Sequence, residues 1–309
     1  MLKRVMLFGV AFALAASLFA QTKAVPDPAP GNATQTSVAA PGSPDWSEPF
    51  PPHRMIGNIY YVGSRGLASY LITTRAGHIL INSNLKTSVP LIRRSIEKLG
   101  FHFSDVRLLL ICHAHFYLDA GCAEIKQLTG AKYMVMDGDV EVVESGGKSD
   151  FQYGSDPTLS YPAAKVDRVL HDGDEVKLGD TMLTAHKTAG HTRGCTTWSL
   201  RVSEAGKTYD VVIVGSPNVN PGYKLVNNVR YPEIADDYTR GFRVLKSLPC
   251  DVFLGAHGSY YEMEAKYARL NAGGPNPYID SEGYKSYVAD REQAFLSELQ
   301  KETANAKKQ

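Results

Sequence analysis

Four of the nine histidines in this chain stand where metal chemistry is feasible. His113 and His115 form a His-x-His pair in CHAHF, directly after the apolar run VRLLLIC (106–112). Residues two apart on an extended chain project to the same side, so both imidazoles can reach one ion. His191 lies in AGHTRG, a glycine-containing turn between two β-rich runs, and His257 lies in GAHG at the end of the apolar run DVFLGAH. Three of the four thus follow buried runs into loops, the places where layered α/β folds gather their sites. Neutral imidazole is a favoured zinc ligand. Three histidines with one open position would make the ion catalytic, because zinc lowers the pKa of bound water to about 7.

A lone His-x-His recurs by chance, and the competing reading is a set of polar loop histidines satisfied by backbone. The recurrence of histidines in matching loops favours the metal. His53, His78, His102 and His171 are left with the competing reading, and His186, inside a strand run before the His191 turn, is read as structural or supporting.

The elements that must position these residues begin as strands. IGNIYYVG (56–63), ASYLITT (68–74) and HILINS (78–83) are β-rich runs separated by glycine or Arg-Ala-Gly turns. Val89, Ile92, Ile96 and Leu99 recur at helical spacing before Gly100, predicting a helix over 89–100. The run 106–112 is near-continuously apolar, as in a strand buried on both faces. A helix over about 120–129 and a strand over 132–136 follow. Further strands are predicted in VDRVL, DEVKL and TMLTAHKT (166–188), over 195–202 and over 209–215. A helix over 231–248, the buried strand 251–257 and a helix over 283–300 with Tyr284, Val288, Phe295 and Leu299 on one face complete the pattern. Two strand-rich halves with helices outside predict an α/β fold, a four-layer αββα sandwich.

The composition, with 43% apolar and 21% charged residues, is that of a globular protein. Lys plus Arg number 33 and Asp plus Glu 32, so no electrostatic footprint for nucleic acid or an anionic membrane is present. The start is different. MLKR is basic, and the following 16-residue run VMLFGVAFALAASLFA ends in small residues. This reads as a secretory signal peptide over 1–20, cleaved after Ala20 or Ala24, since a spanning helix needs roughly 20 apolar residues. Residues 21–45, rich in Pro, Ala, Gly, Ser and Thr, read as a flexible leader, with the folded domain over 46–309. The expectation is a periplasmic or secreted monomer with no membrane attachment once mature. Cys112, Cys122, Cys195 and Cys250 allow three complete disulfide pairings, and spacing does not choose among them.

The segments IGNIYYVG, GLASYLITT, SIEKLGF, HAHF, AGCAEIKQLTGAKYMVMD, SGGKSDFQYG, VLHDGDEV, LTAHKTAGHTRGCTTW, NPGYKLV and FLGAHG, in this order over about 55–270, resemble metallo-β-lactamases of the third subclass. The resemblance implies a zinc enzyme with two ions in a groove between the halves and a small β-lactam as substrate. It places the first ion on His113, His115 and His191, and His257 on the second. The family motif His-x-His-x-Asp-His departs here to His113-Ala-His115-Phe-Tyr117-Leu118. Tyr117 stands where Asp is expected and Leu118 where His is expected, so one zinc is expected and a second site is compromised. Leu offers no ligand, and a phenol with a pKa near 10 is a poor one. Tyr117 could instead act catalytically by donating a hydrogen bond, and Asp119, one residue late, could swing in. The resemblance also places Ser216 near the substrate carboxylate, with Asn218 and Tyr223 nearby. It makes SGGKSDFQYG (145–154) a flap, whose Phe151 and Tyr153 would stack on a ligand or anchor the loop. Three functions follow: a single-zinc β-lactamase, a same-fold hydrolase of another ester, lactone or amide, or a zinc-binding protein without catalysis. The substrate-facing loops favour the first.

Overall fold

The structure is a computed structural model that describes residues 43–308. The expected signal segment and most of the expected leader, up to residue 42, lie outside the described residues. Among the described residues, twelve strands form two sheets. The first carries β1 (His53–Ile56), β2 (Ile59–Tyr61), β3 (Tyr70–Thr74), β4 (Gly77–Ile81), β5 (Val106–Leu110), β6 (Lys132–Met136) and β7 (Arg168–Leu170), in that spatial order. β1 to β4 pair antiparallel and β4 to β7 pair parallel. The second carries β8 (Glu175–Leu178), β9 (Thr181–Lys187), β10 (Thr196–Glu204), β11 (Lys207–Val214) and β12 (Val252–Gly255), antiparallel until the parallel β11–β12 pair.

Strand alternation divides the apolar residues of the first sheet between two cores. Tyr70, Ile72, Ile79, Ile81, Leu108 and Leu110 face the core shared with the second sheet, where Trp198, Leu200 and Leu183 lie. Leu71, Leu80 and Leu109 face the opposite way and pack with Ile92 and Ile96 of α1 (Val89–Lys98) and Ile125 of α3 (Cys122–Thr129). A period of two therefore explains why 106–112 reads as apolar on both faces. On the far side of the second sheet lie α5 (Ile234–Ser247) and α7 (Ser281–Ala306). Phe253 of β12 packs on Tyr284 and Tyr287 of α7, with ring centroids 5.5 and 5.3 Å apart. This is the αββα sandwich.

Several elements differ from the sequence reading. IGNIYYVG is not one strand: Gly57, at φ +52°, and Asn58 turn the chain between β1 and β2. The helix expected over about 120–129 is α3, and a further single turn that the sequence reading did not expect, α2 (Phe116–Asp119), precedes it across Ala120 and Gly121. A Cβ on Gly121 would lie 2.9 Å from the Ser83 carbonyl oxygen, so the chain can pass there only as glycine. Two helices carry no legible apolar stripe: α4 (Val140–Glu144) and α6 (Met263–Ala272), which buries only Met263 and Lys266. All four cysteines are free thiols. Among the described residues no helix is long and apolar enough to cross a membrane.

The sheets meet where the histidine loops emerge. Trp198, buried between them, donates its indole N–H to the Ile111 carbonyl at 3.1 Å, and the Thr196 N–H reaches the Cys112 carbonyl at 2.7 Å. On the other flank the Ala68 N–H donates to the Ala256 carbonyl, next to His257. The ends of β5 and β12 are thus pinned to the opposite sheet one residue before each carries a histidine.

The outer layer gives a stability test. Phe295 of α7 is buried against Tyr238 and Phe242 of α5, with centroids 5.2 and 5.7 Å away. Phe295→Ala is expected to cost about 3–5 kcal/mol, seen as a lower urea midpoint at unchanged slope. A loss below about 1 kcal/mol would mean that α7 does not hold the second sheet as described.

Candidate metal centre

His113 and His115 leave β5 through a segment held by Asn82, whose side-chain oxygen accepts the Cys112 N–H at 2.8 Å. His115 then caps α2, its carbonyl accepting from the Leu118 and Asp119 N–H groups. His191 sits in the loop between β9 and β10. These three, all buried, bring one ring nitrogen each within 4.8 Å of one another.

A carboxylate that the sequence reading missed sets this geometry. Asp139 accepts from the Ala114 N–H at 2.9 Å, between the first two histidines. It also accepts from the Thr192 hydroxyl at 2.8 Å and the Gly194 N–H at 2.9 Å, just after His191. One buried side chain therefore ties both histidine loops together. The approach needs glycines on both sides: a Cβ on Gly138 would lie 2.3 Å from the Arg193 carbonyl oxygen, and one on Gly194 would lie 2.5 Å from the Asp139 nitrogen. The signal in the sequence is the DGD turn after β6, which by itself reads only as a turn.

The outward ring atoms decide what the inward ones offer. His191 Nδ1 donates to the Asn218 carbonyl at 2.9 Å, so its Nε2 presents a lone pair inward. His115 Nε2 faces the Asp150 carboxylate at 3.7 Å and the Tyr223 hydroxyl at 3.5 Å, so the proton belongs there and Nδ1 turns a lone pair inward. His113 points Nε2 inward, and its buried Nδ1 has no hydrogen-bond partner. Burial first, then the neighbouring histidines, depresses the proton affinity of all three; His115 and His191 fall to about 3, and His113 also falls well below the ordinary value. Neutral imidazoles with converging lone pairs are the ligand set a zinc ion requires. The donor set fits one zinc.

Against all three nitrogens stands Tyr117. Its hydroxyl oxygen is 3.1 Å from His113 Nε2, 2.9 Å from His115 Nδ1 and 3.0 Å from His191 Nε2. Burial pushes the phenol well above its ordinary pKa. One hydroxyl proton cannot satisfy three lone pairs, so hydrogen bonding by this phenol alone leaves the site electrostatically incomplete.

The other expected residues are placed as follows. His257 is buried outside the three-nitrogen group, its Nε2 without a partner and its ring 5.5 Å from that of Tyr117. Leu118 is fully buried in the inter-sheet core. Asp119 faces away from the histidines, accepting from the Tyr133 hydroxyl, and burial raises it to about 7. Ser216 Oγ and Asn218 Nδ2 both bond the Tyr260 hydroxyl, at 3.1 and 2.8 Å. Tyr223 donates to the His191 carbonyl at 2.8 Å. Phe151 is buried between Tyr223 and Tyr231, while Tyr153 lies edge-on to His115 at 5.0 Å. Trp46, the start of the expected domain, packs 4.9 Å from Tyr117 and 6.3 Å from His257.

The role of Asp139 can be tested without disturbing volume. Asp139→Asn sets an amide against backbone donors, so zinc affinity is expected to drop about 10–100-fold with the fold retained. Chelator competition and circular dichroism check this, and unchanged affinity would remove Asp139 from the centre. A second test concerns pH. His113, His115, His191 and His257 are depressed in the folded state, the last three to about 3, so between about 6.5 and 3 the unfolded chain holds more protons. Their contribution is present at neutral pH and lost on acidification. Asp119 and Asp139, raised to about 7 and about 6, act in the opposite sense between roughly pH 4 and 7. The four histidines outnumber the three carboxylates raised by burial, Asp150 being the third. The melting temperature of metal-free protein is therefore expected to fall from neutral pH downward, most steeply below about pH 4. A flat or rising profile would show that the histidines are not buried as neutral rings.

No protein-family model matches the chain. Solved structures do. FEZ-1 metallo-β-lactamase from Legionella gormanii is 54% identical, with 83% of this chain and 98% of that chain covered at a TM-score of 0.82. BJP-1, a subclass B3 metallo-β-lactamase of Bradyrhizobium japonicum, is 39% identical over 85% of this chain and 98% of that one, at 0.80. Metallo-β-lactamase GOB-18 from Elizabethkingia meningoseptica is 34% identical over 84% and 95%, at 0.80. With that identity over nearly the whole of each relative, on this sandwich and around this histidine centre, the chain belongs to the subclass B3 metallo-β-lactamases.

Proposed function

We propose that this chain is a zinc-dependent hydrolase that opens β-lactam rings with one ion on His113, His115 and His191. The observation that carries this reading is the convergence of three neutral, buried imidazoles within 4.8 Å in a chain of this family. Bound there, zinc would supply a hydroxide near neutral pH and polarise the scissile carbonyl.

The chain's own groups do the rest. The Asn218 carbonyl and the Tyr223 hydroxyl hold the His191 ring and backbone, and Asp139 holds both histidine loops. Ser216, Asn218 and Tyr223 are the polar groups assigned to the substrate, with Phe151 and Tyr153 shaping the flap. Ser216 and Asn218 share the Tyr260 hydroxyl, so they are presented as a unit. His257 lacks the Asp-His pair it would need to hold a second ion, so turnover is expected to be weaker than in a two-zinc relative. Losing preorganised electrostatic stabilisation typically costs about 10²–10³ in rate. The rival reading, zinc binding without catalysis, is favoured by one observation, the Tyr117 oxygen within hydrogen-bond distance of all three ligand nitrogens. The partner is a small β-lactam and the mature chain is a monomer. Export through the 1–20 signal places it in the periplasm or outside the cell.

Elemental analysis alongside hydrolysis of penicillins, cephalosporins and carbapenems tests this. About one zinc per chain and measurable β-lactam turnover are expected, since three histidines are the minimum of a catalytic site. His115→Ala or His191→Ala should abolish both, whereas His257→Ala should keep the metal. Two tightly held zincs, or equal metal loss in the His257 and His115 variants, would overturn the one-zinc reading. Bound zinc without β-lactam turnover would support the non-catalytic rival.

A further inference from the structure

We propose that Tyr117 is itself a zinc ligand, closing a four-coordinate site of three histidines and one tyrosine that must open before substrate can be hydrolysed. This rests on the reading that zinc occupies the three histidines.

Distances carry the assignment. Four ligand atoms arranged tetrahedrally around zinc, at about 2.0–2.2 Å from the ion, lie about 3.3 Å from one another. The Tyr117 oxygen stands 3.1, 2.9 and 3.0 Å from the three inward nitrogens. It is nearly equidistant from all three, and so lies on the axis along which a fourth ligand would approach an ion held by the three nitrogens. A phenol that merely oriented a metal-bound water would stand off to one side, beyond that water.

The surroundings hold the oxygen there. Tyr117 lies on α2, one turn anchored at both ends: the His115 carbonyl accepts from the Leu118 N–H at 2.9 Å, and the Leu118 carbonyl accepts from the Ser83 and Asn84 N–H groups at 3.0 Å. Leu118 fills the core below, and the Trp46 and Phe116 rings pack 4.9 and 5.3 Å from the Tyr117 ring. The phenol thus enters the centre from a fixed backbone through a packed aromatic wall.

The chemistry balances without any redox partner. As the ion binds, the phenol O–H bond breaks, the proton passes to solvent, and a metal–oxygen bond forms. Four protein ligands leave no open position, which is the arrangement of a structural site. Hydrolysis therefore requires the oxygen to leave and water to take its place. Tyr117 acts as a gate on the metal, and its removal should raise turnover.

Copper(II) is the probe, because phenolate bound to it gives a visible charge-transfer band that imidazole does not. Metal-free full-length protein and Tyr117→Phe are each loaded with copper(II) and their spectra compared at measured metal content. The expected result is a visible band in the wild type that is lost in Tyr117→Phe, with about one metal per chain in both. Zinc titrated into metal-free wild type should also produce a tyrosinate ultraviolet difference signal that saturates at one equivalent, a reading that does not depend on the variant folding. Bound copper without the band, a band unchanged in Tyr117→Phe, or bound zinc without the tyrosinate signal would overturn the inference and leave the three-histidine site intact. Failure of the wild type to bind either metal would overturn the zinc reading as well. Tyr117→Phe that keeps its zinc should hydrolyse β-lactams faster than wild type; an equal or lower rate would overturn the gate.

Discussion

The arrangement around which this molecule is built is a buried point at which three neutral imidazoles aim their lone pairs. Such an arrangement is costly in a protein interior, because unpaired acceptors facing one another lose hydration and gain nothing. A divalent cation reverses the sign of that interaction. Many separate contacts hold the point fixed. Trp198 pins the end of β5, Asn82 holds Cys112, Asn218 fixes the His191 ring, and Asp139 joins the two loops. Asp139 is raised to about 6 by burial, while its three donors act in the opposite sense. A buried carboxylate of that kind is tolerated where its hydrogen bonds fix a geometry the fold needs.

Tyr117 and Leu118 stand where the resemblance leads one to expect Asp and His, and both are buried in an apolar setting. Leu118 is fully buried, and Trp46, Phe116 and Tyr117 pack together beside it. His257 remains, buried and with an unpartnered Nε2. Burial lowers the proton affinity of this imidazole to about 3, so it stays neutral within the aromatic wall.

Much of this is legible in the residues, and what is not has identifiable causes. The sheets follow from period-two alternation, and strands such as β4 and β5 are apolar on both faces because each face meets a separate core. The CHAHF, AGHTRG and GAHG contexts locate the histidines, since strand ends carry functional loops. Gly57 looks in sequence like an interruption inside one strand, although its left-handed backbone makes a turn there. The helix α6 carries almost no buried apolar residues, so periodicity cannot reveal it. Asp139 is hidden for a different reason. Its importance lies in three donors distant in sequence, two of them from a loop 53 and 55 residues away, and a DGD turn encodes none of them.

The position of Tyr117 is the least legible feature and the most consequential. In sequence, a phenol in place of a carboxylate reads as a lost ligand, because an isolated phenol has little affinity for zinc at neutral pH. An isolated phenol, however, is free to move. Here the backbone of α2 is fixed at both ends and the ring is wedged by Trp46, so the entropy of placing the oxygen has already been met by folding. Preorganisation changes what a weak donor can do, since much of the disadvantage of a poor ligand in water lies in desolvation and ordering. A side chain longer than aspartate by an aromatic ring does not vacate the centre; it reaches across to the first ion's histidines. The residue that stands in place of the expected carboxylate is therefore the one that places an oxygen against all three inward nitrogens.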